Sequence, residues 1–114
     1  MFAVISPSAF SKLKEIVDKS KNYKLVVTTL GVSFALKNNI NVDYALDRGV
    51  MVRAFAHKPP KVDDLPQYES EAIMIALELN AILIANDGNV IEKAKELGVN
   101  TISLEQFLAS SSES

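Results

Sequence analysis

The chain predicts an α/β protein, a three-layer sandwich with a central, mostly parallel five-stranded sheet. Three observations carry this reading. Short β-branched and apolar runs alternate with helical patterns along all 114 residues, the pattern of parallel strands joined by helical crossovers. Ala81-Ile82-Leu83-Ile84-Ala85 is a continuous apolar run, as expected for a strand covered on both faces. The joins are short, among them Ser6-Pro7-Ser8, Asn38-Asn39 and Asn86-Asp87-Gly88.

Taken in order, residues 2–5 form the first strand, and Ser6-Pro7-Ser8 supplies helix-cap chemistry. A helix is expected to about Ser20, with Phe10, Leu13, Ile16 and Val17 on one face. Residues 24–28 are a β-branched second strand, and Thr28 or Thr29 caps a helix to about Lys37 with Val32 and Leu36 inward. A short helix over residues 42–47 ends at Gly49, and residues 50–55 alternate like a third strand. Residues 57–64 are a loop with two prolines. The helix over residues 67–79 has Ala72, Ile73, Ala76 and Leu77 as its inward stripe. Asn86-Asp87-Gly88 has the composition of a hairpin turn, but Val90, Ile91, Ala94 and Leu97 follow at helical spacing, and Gly98 closes a helix. Residues 99–102 form the fifth strand, and Ser103-Leu104-Glu105-Gln106 fits a capping box opening a last helix. Residues 1–109 read as one domain, with a disordered tail over residues 110–114.

Composition narrows the chemistry. The chain is 48% hydrophobic and 23% charged, with no cysteine and one histidine, so disulfides, thiolate metal sites and multi-histidine zinc sites are excluded. No apolar run approaches a membrane span and no stretch resembles a signal peptide; a cytoplasmic protein is expected. The net charge of −2 gives no overall attraction to nucleic acid. Two basic groups stand out, Lys12, Lys14, Lys19, Lys21 and Lys24, and then Arg53, His57, Lys58 and Lys61. Each reads either as a solvated face or as a surface for a phosphate backbone.

In an open parallel sheet, ligands bind beyond the carboxyl ends of the strands, near the point where the strand order reverses. Topology alone therefore puts Ser6, Thr28, Thr29 and Asp87 on the functional edge. Glu69 lies on the Ile73 and Ala76 side of its helix. A carboxylate there either needs a partner or a metal, or serves the helix N-terminus at about 0.3–1 kcal/mol. Glu71, two residues on, is expected to face solvent. Asp87 either caps the following helix or both caps it and holds a cation.

Residues 2–10, 24–36 and 65–104 together resemble a PIN domain, a small metal-dependent ribonuclease fold, most closely its short prokaryotic members and the related rRNA-processing endonucleases. Tyr68-Glu69-Ser70-Glu71-Ala72-Ile73 is similar to the helix start bearing a catalytic acid, here Glu69. Ala85-Asn86-Asp87 resembles the family's Thr-x-Asp strand end, with Asp87 in the acidic position. Two motifs depart from the pattern. In Val4-Ile5-Ser6-Pro7-Ser8-Ala9-Phe10, Ser6 stands where the family has its first Asp. In Thr28-Thr29-Leu30-Gly31-Val32-Ser33-Phe34-Ala35-Leu36, a glutamate is expected near Phe34 or Ala35, and neither is acidic.

The resemblance implies Mg²⁺ or Mn²⁺ chemistry, with Glu69 and Asp87 as residual catalytic and metal-binding acids and Ser6 in the place of the first acid. Two acids hold a hydrated ion weakly at best, so an inactive or weakly active domain is expected. Its role would then be RNA binding, with Lys12, Lys14, Arg53, Lys58 and Lys61 as candidate contacts, or that of a partner subunit. The alternative is an active Mg/Mn-dependent endoribonuclease, toxin-like or RNA-processing, with a third acid such as Asp63 or Asp64. The family also implies a homodimer and, for toxin members, an antitoxin partner. A small interaction module unrelated to nucleic acid is the remaining class.

Overall fold

Five strands and six α-helices are seen in a computed structural model, which describes residues 1–20, 22–56 and 61–111. Lys21, His57 and Lys58 of the basic groups, residues 57–60 of the prolyl loop, and Ser112–Ser114 of the expected tail lie outside the described residues. The strands are β1 (Phe2–Ile5), β2 (Lys24–Thr28), β3 (Met51–Arg53), β4 (Ile82–Ala85) and β5 (Thr101–Ser103). The helices are α1 (Leu13–Lys19), α2 (Thr29–Lys37), α3 (Asp43–Leu46), α4 (Gln67–Leu79), α5 (Gly88–Glu96) and α6 (Leu104–Ser111). A 3₁₀ segment, Pro7–Lys12, leads into α1.

The strand order is β3-β2-β1-β4-β5, and every pairing is parallel. The chain winds outward from β1 to β3, then returns to place β4 on the other side of β1. The order therefore reverses between β1 and β4, whose carboxyl ends lie side by side with Ile5 opposite Ile84. The two-residue period of the strands sorts their side chains by face. Ala3, Ile5, Val27 and Ile84 pack with Phe10, Ile16, Ala35 and Phe107. Val4, Val26, Leu83 and Ala85 pack with Ile73, Ala76, Val90 and Ala94. Helices α1, α2, α3 and α6 thus contribute to one outer layer, and α4 and α5 form the other.

Local chemistry accounts for the boundaries. Ser6 is extended and its side chain accepts from Ser8 N, Pro7 follows, and Ala9 N donates to Ser6 O at 2.8 Å. That tight first turn gives a 3₁₀ segment ahead of α1, where the sequence predicts one continuous helix. Thr28 is the cap of α2, accepting from Gly31 N at 3.0 Å. The capping box of α6 forms in both directions, Gln106 N donating to Ser103 Oγ at 3.1 Å and Ser103 N to Gln106 Oε1 at 3.4 Å. Gly98, at φ +86, closes α5 as expected.

Several expectations are corrected. Leu36 and Leu77 are not inward; they are 66% and 42% exposed. Helix α2 turns Gly31 and Ala35 inward instead, because a Cβ at Gly31 would already lie 3.0 Å from Thr28 Oγ1 and 3.3 Å from Phe10 Cζ. Strand β3 is shorter than predicted because it is an edge strand; its pairing ends where β2 ends, at Thr28 opposite Arg53. Ser110 and Ser111 belong to α6 rather than to a disordered tail, and Ser110 Oγ donates to Phe107 O at 3.1 Å. Among the described residues, no helix is long and apolar enough to cross a membrane.

Phe107 is 1% exposed and carries much of the contact between α6 and the core. Phe107→Ala is expected to lower unfolding free energy by about 3–5 kcal/mol, whereas Leu36→Ala stays within about 0.5 kcal/mol of the parent. Urea denaturation of both variants checks this, and a large loss in Leu36→Ala would restore the inward assignment of that residue.

Candidate active site

The carboxyl ends of β1 and β4 and the start of α4 converge on one hydrogen-bonded chain. Ser6 follows β1 directly, extending its pairing through Ser6 N to Ile84 O at 2.9 Å. Asn86 follows β4, and its backbone N donates to Ser8 Oγ at 2.9 Å. Ser8 Oγ and Ser6 Oγ are 2.8 Å apart, and Ser6 Oγ donates to Glu69 Oε1 at 2.5 Å. The polarity follows from the ends. A backbone N–H can only donate and an ionised carboxylate can only accept, so Ser8 donates to Ser6 and Ser6 to Glu69. Every proton in the chain points toward the carboxylate, and such chains strengthen their members by polarisation.

Ser6 is fully buried and Glu69 is 5% exposed. Burial pushes the Glu69 carboxyl above its ordinary range. The Ser6 hydroxyl opposes that shift, the charge of Asp87 adds to it, and a backbone contact from Ser8 opposes it again. Asp87 is exposed and caps α5, its Oδ1 accepting from Asn89 N at 2.8 Å and Val90 N at 3.3 Å. The structure therefore brings Ser6, Glu69 and Asp87 to one edge.

Glu71 departs from its expected exposure. It is 4% exposed and reaches across to α2, accepting from Leu30 N at 2.9 Å and from the Thr29 hydroxyl at 3.2 Å. Helix α4 buries both carboxylates because α2, the sheet and the 3₁₀ segment all pack against it. The unbroken apolar run from Ala72 to Ala76 carried that signal, since a helix stretch apolar on every side is covered on most of its circumference. Asp63 and Asp64 are exposed, and Asp63 pairs with Lys93 at 2.7 Å. Ala35 is fully buried among apolar side chains, and Phe34 lies 4.5 Å from Tyr68, ring centre to ring centre. Of the basic candidates, Lys12, Lys14, Arg53 and Lys61 are exposed, with Lys14 over the Tyr44 ring and Arg53 at the end of β3.

No family model matches the chain, and no curated protein sequence matches it. Among solved structures it is 73% identical to a PilT N-terminus domain protein from the hyperthermophilic archaeon Sulfolobus solfataricus P2, over 100% of this chain and 96% of that one, with a TM-score of 0.93. The chain belongs to the PIN (PilT N-terminus) domain family. The PIN fold is also shared with a protein from Pyrobaculum aerophilum of known crystal structure, which is 16% identical over 100% of this chain and 98% of that one, with a TM-score of 0.60.

PIN domains are generally dependent on divalent metal. The donors at this edge do not fit a two-metal centre. Adjacent oxygens around Mg²⁺ at about 2.1 Å stand about 3 Å apart, and two-metal hydrolysis needs carboxylates that bridge and flank both ions. Ser6 Oγ and Glu69 Oε1 are in direct contact at 2.5 Å, and Ser6 is a neutral donor. Asp87 Oδ1 is engaged by helix α5. Glu69 Oε2 and Asp87 Oδ2 are the carboxylate oxygens left at this edge of the PIN domain. Among the described residues, no group of three or more His, Cys, Asp or Glu side chains is arranged to hold an ion.

Two outcomes follow. The folded protein holds the Glu69 proton more tightly than the unfolded chain does, so its contribution to stability is full below the ordinary carboxyl pKa of about 4.3 and is lost as pH rises through the raised folded value. Urea midpoints measured from about pH 4 to 8 should show the parent losing stability relative to Glu69→Gln as pH rises; a parallel pair of curves would show that Glu69 is unperturbed. Glu71→Ala strips Leu30 N of its acceptor and should cost about 1–3 kcal/mol, while Glu71→Gln, which keeps an acceptor oxygen, should cost less.

Proposed function

We propose that this PIN domain keeps the nuclease fold and its switch-point edge without an efficient catalytic centre, and acts in RNA binding or as a partner subunit. One observation carries the reading: the Ser6 hydroxyl donates directly to Glu69, the family's catalytic acid, at the position where a first Asp would supply a second charge. Further support comes from the second motif, where Ala35 is enclosed in the core and Phe34 packs against Tyr68, so neither position presents an acid to the edge. Of the two alternative acids, Asp63 is committed to Lys93. The exposed cations Lys12, Arg53 and Lys61 are the contacts proposed for the phosphate backbone.

Titration calorimetry with MgCl₂ and MnCl₂, together with cleavage assays on single-stranded RNA, tests the catalytic half of this reading. The expected outcome is no saturable metal binding and no cleavage above background. Ser6→Asp restores one acid and is expected to raise Mn²⁺ affinity by about tenfold or more, since carboxylate count sets affinity for hard cations. Robust cleavage by the parent protein that disappears in Asp87→Asn would make the chain an active Mg/Mn-dependent endoribonuclease instead.

A further inference from the structure

We propose that the groove between α2 and α4 is a stacking subsite for one unpaired base of single-stranded RNA, with Lys37 at the adjoining phosphate; this rests on the RNA-binding reading above. The groove is lined by Leu30, Ser33, Phe34, Lys37, Gln67 and Tyr68. Three aromatic rings climb into it from the core. Phe10 is 2% exposed, and its ring centre lies 6.3 Å from that of Phe34 at 59°. Phe34 is half-buried and lies 4.5 Å from half-buried Tyr68 at 34°. Tyr68 lies at the end of this series of ring contacts and immediately precedes Glu69, so the groove adjoins the switch-point edge.

The chemistry of the lining matches a nucleobase better than an apolar side chain. Unstacked bases bind by laying a π-face on an aromatic ring, whatever their identity. Ser33 and Gln67, both exposed, offer a hydroxyl and an amide that donate and accept at a base edge. Lys37, also exposed, is the cation of the groove and complements a phosphate. The carboxylate of Glu71 is buried and turned onto Leu30 N and the Thr29 hydroxyl, and Glu71 does not line the groove. An apolar peptide would leave Lys37, Gln67 and Ser33 unmatched, whereas one nucleotide engages all three.

The test uses two fluorescently labelled single-stranded RNAs of equal length, one intact and one carrying abasic sites, with binding followed by anisotropy across a salt series. Stacking of one base on an aromatic ring corresponds to about 5- to 150-fold in affinity, so the parent protein should lose about that factor on the abasic strand. Tyr68→Leu should lose the same factor on the intact strand and no longer distinguish the two. Tyr68→Phe, which keeps the ring, should stay within about twofold of the parent. Lys37→Glu should weaken both RNAs alike and reduce the log–log salt slope by about 0.7. Salt-dependent binding of both strands with equal affinity overturns the subsite while leaving the RNA-binding reading in place. Failure of the parent to bind either strand at low salt overturns both, in favour of the partner-subunit role. The abasic comparison needs no variant and is unaffected by any loss of folding in Tyr68→Leu.

Discussion

The hydrogen bond from Ser6 to Glu69 is the contact around which the carboxyl edge of the sheet is organised. A carboxylate 5% exposed would be costly if left unpaired, and the fold offers it a hydroxyl in place of a second acid. The hydroxyl is itself oriented by Ser8, and Ser8 by the backbone of Asn86, so the bond ties the ends of β1 and β4 to the first turn of α4. At the switch point of a parallel sheet the strand order reverses and leaves a crevice beyond the strand ends, and here that bond lies in it. The neutral Ser6 thus makes this edge a directed chain of donors ending on Glu69.

Helix α4 carries two buried carboxylates in one turn, and each is matched differently. Glu69 is matched by a hydroxyl at the sheet, Glu71 by the backbone and side chain at the start of α2. The second pairing places a negative charge at a helix N-terminus, where the macrodipole favours it. It also explains how α2 is held close enough for Gly31 to lie against Thr28 and Phe10. The polar contacts therefore fix the position of α2, and the aromatic ladder of Phe10, Phe34 and Tyr68 fills the space left between the helices. The PIN-family architecture accommodates a neutral Ser6 because the two cores on either face of the sheet are built from apolar side chains.

Much of the fold was legible from periodicity and capping. The apolar stripe predicts helix α4 over its full length, and in the structure Pro66 precedes it and Asn80, left-handed at φ 52, ends it. Asp87 was legible as a cap because the apolar spacing after it was helical. The errors share one cause. Leu36 and Leu77 were placed inward by hydropathy, but which side of a helix faces the core depends on how closely its neighbour approaches. Glu71 was placed outward because helical phase gives a charged residue one face, and it cannot show that a second helix covers that face.

The sequence by itself determined the order of elements, the parallel character of the sheet, and the edge on which Ser6, Glu69 and Asp87 fall, because apolar period and cap chemistry are local properties of the chain. It also determined that residues 6, 34 and 35 carry no acid, since that is a matter of residue identity. Only the tertiary structure decided how the remaining charges are matched. The Ser6–Glu69 bond joins residues 63 positions apart, and the contact of Glu71 with Leu30 spans 41. Such pairings depend on the strand order β3-β2-β1-β4-β5 bringing distant segments to one edge, and no local pattern in the chain records them.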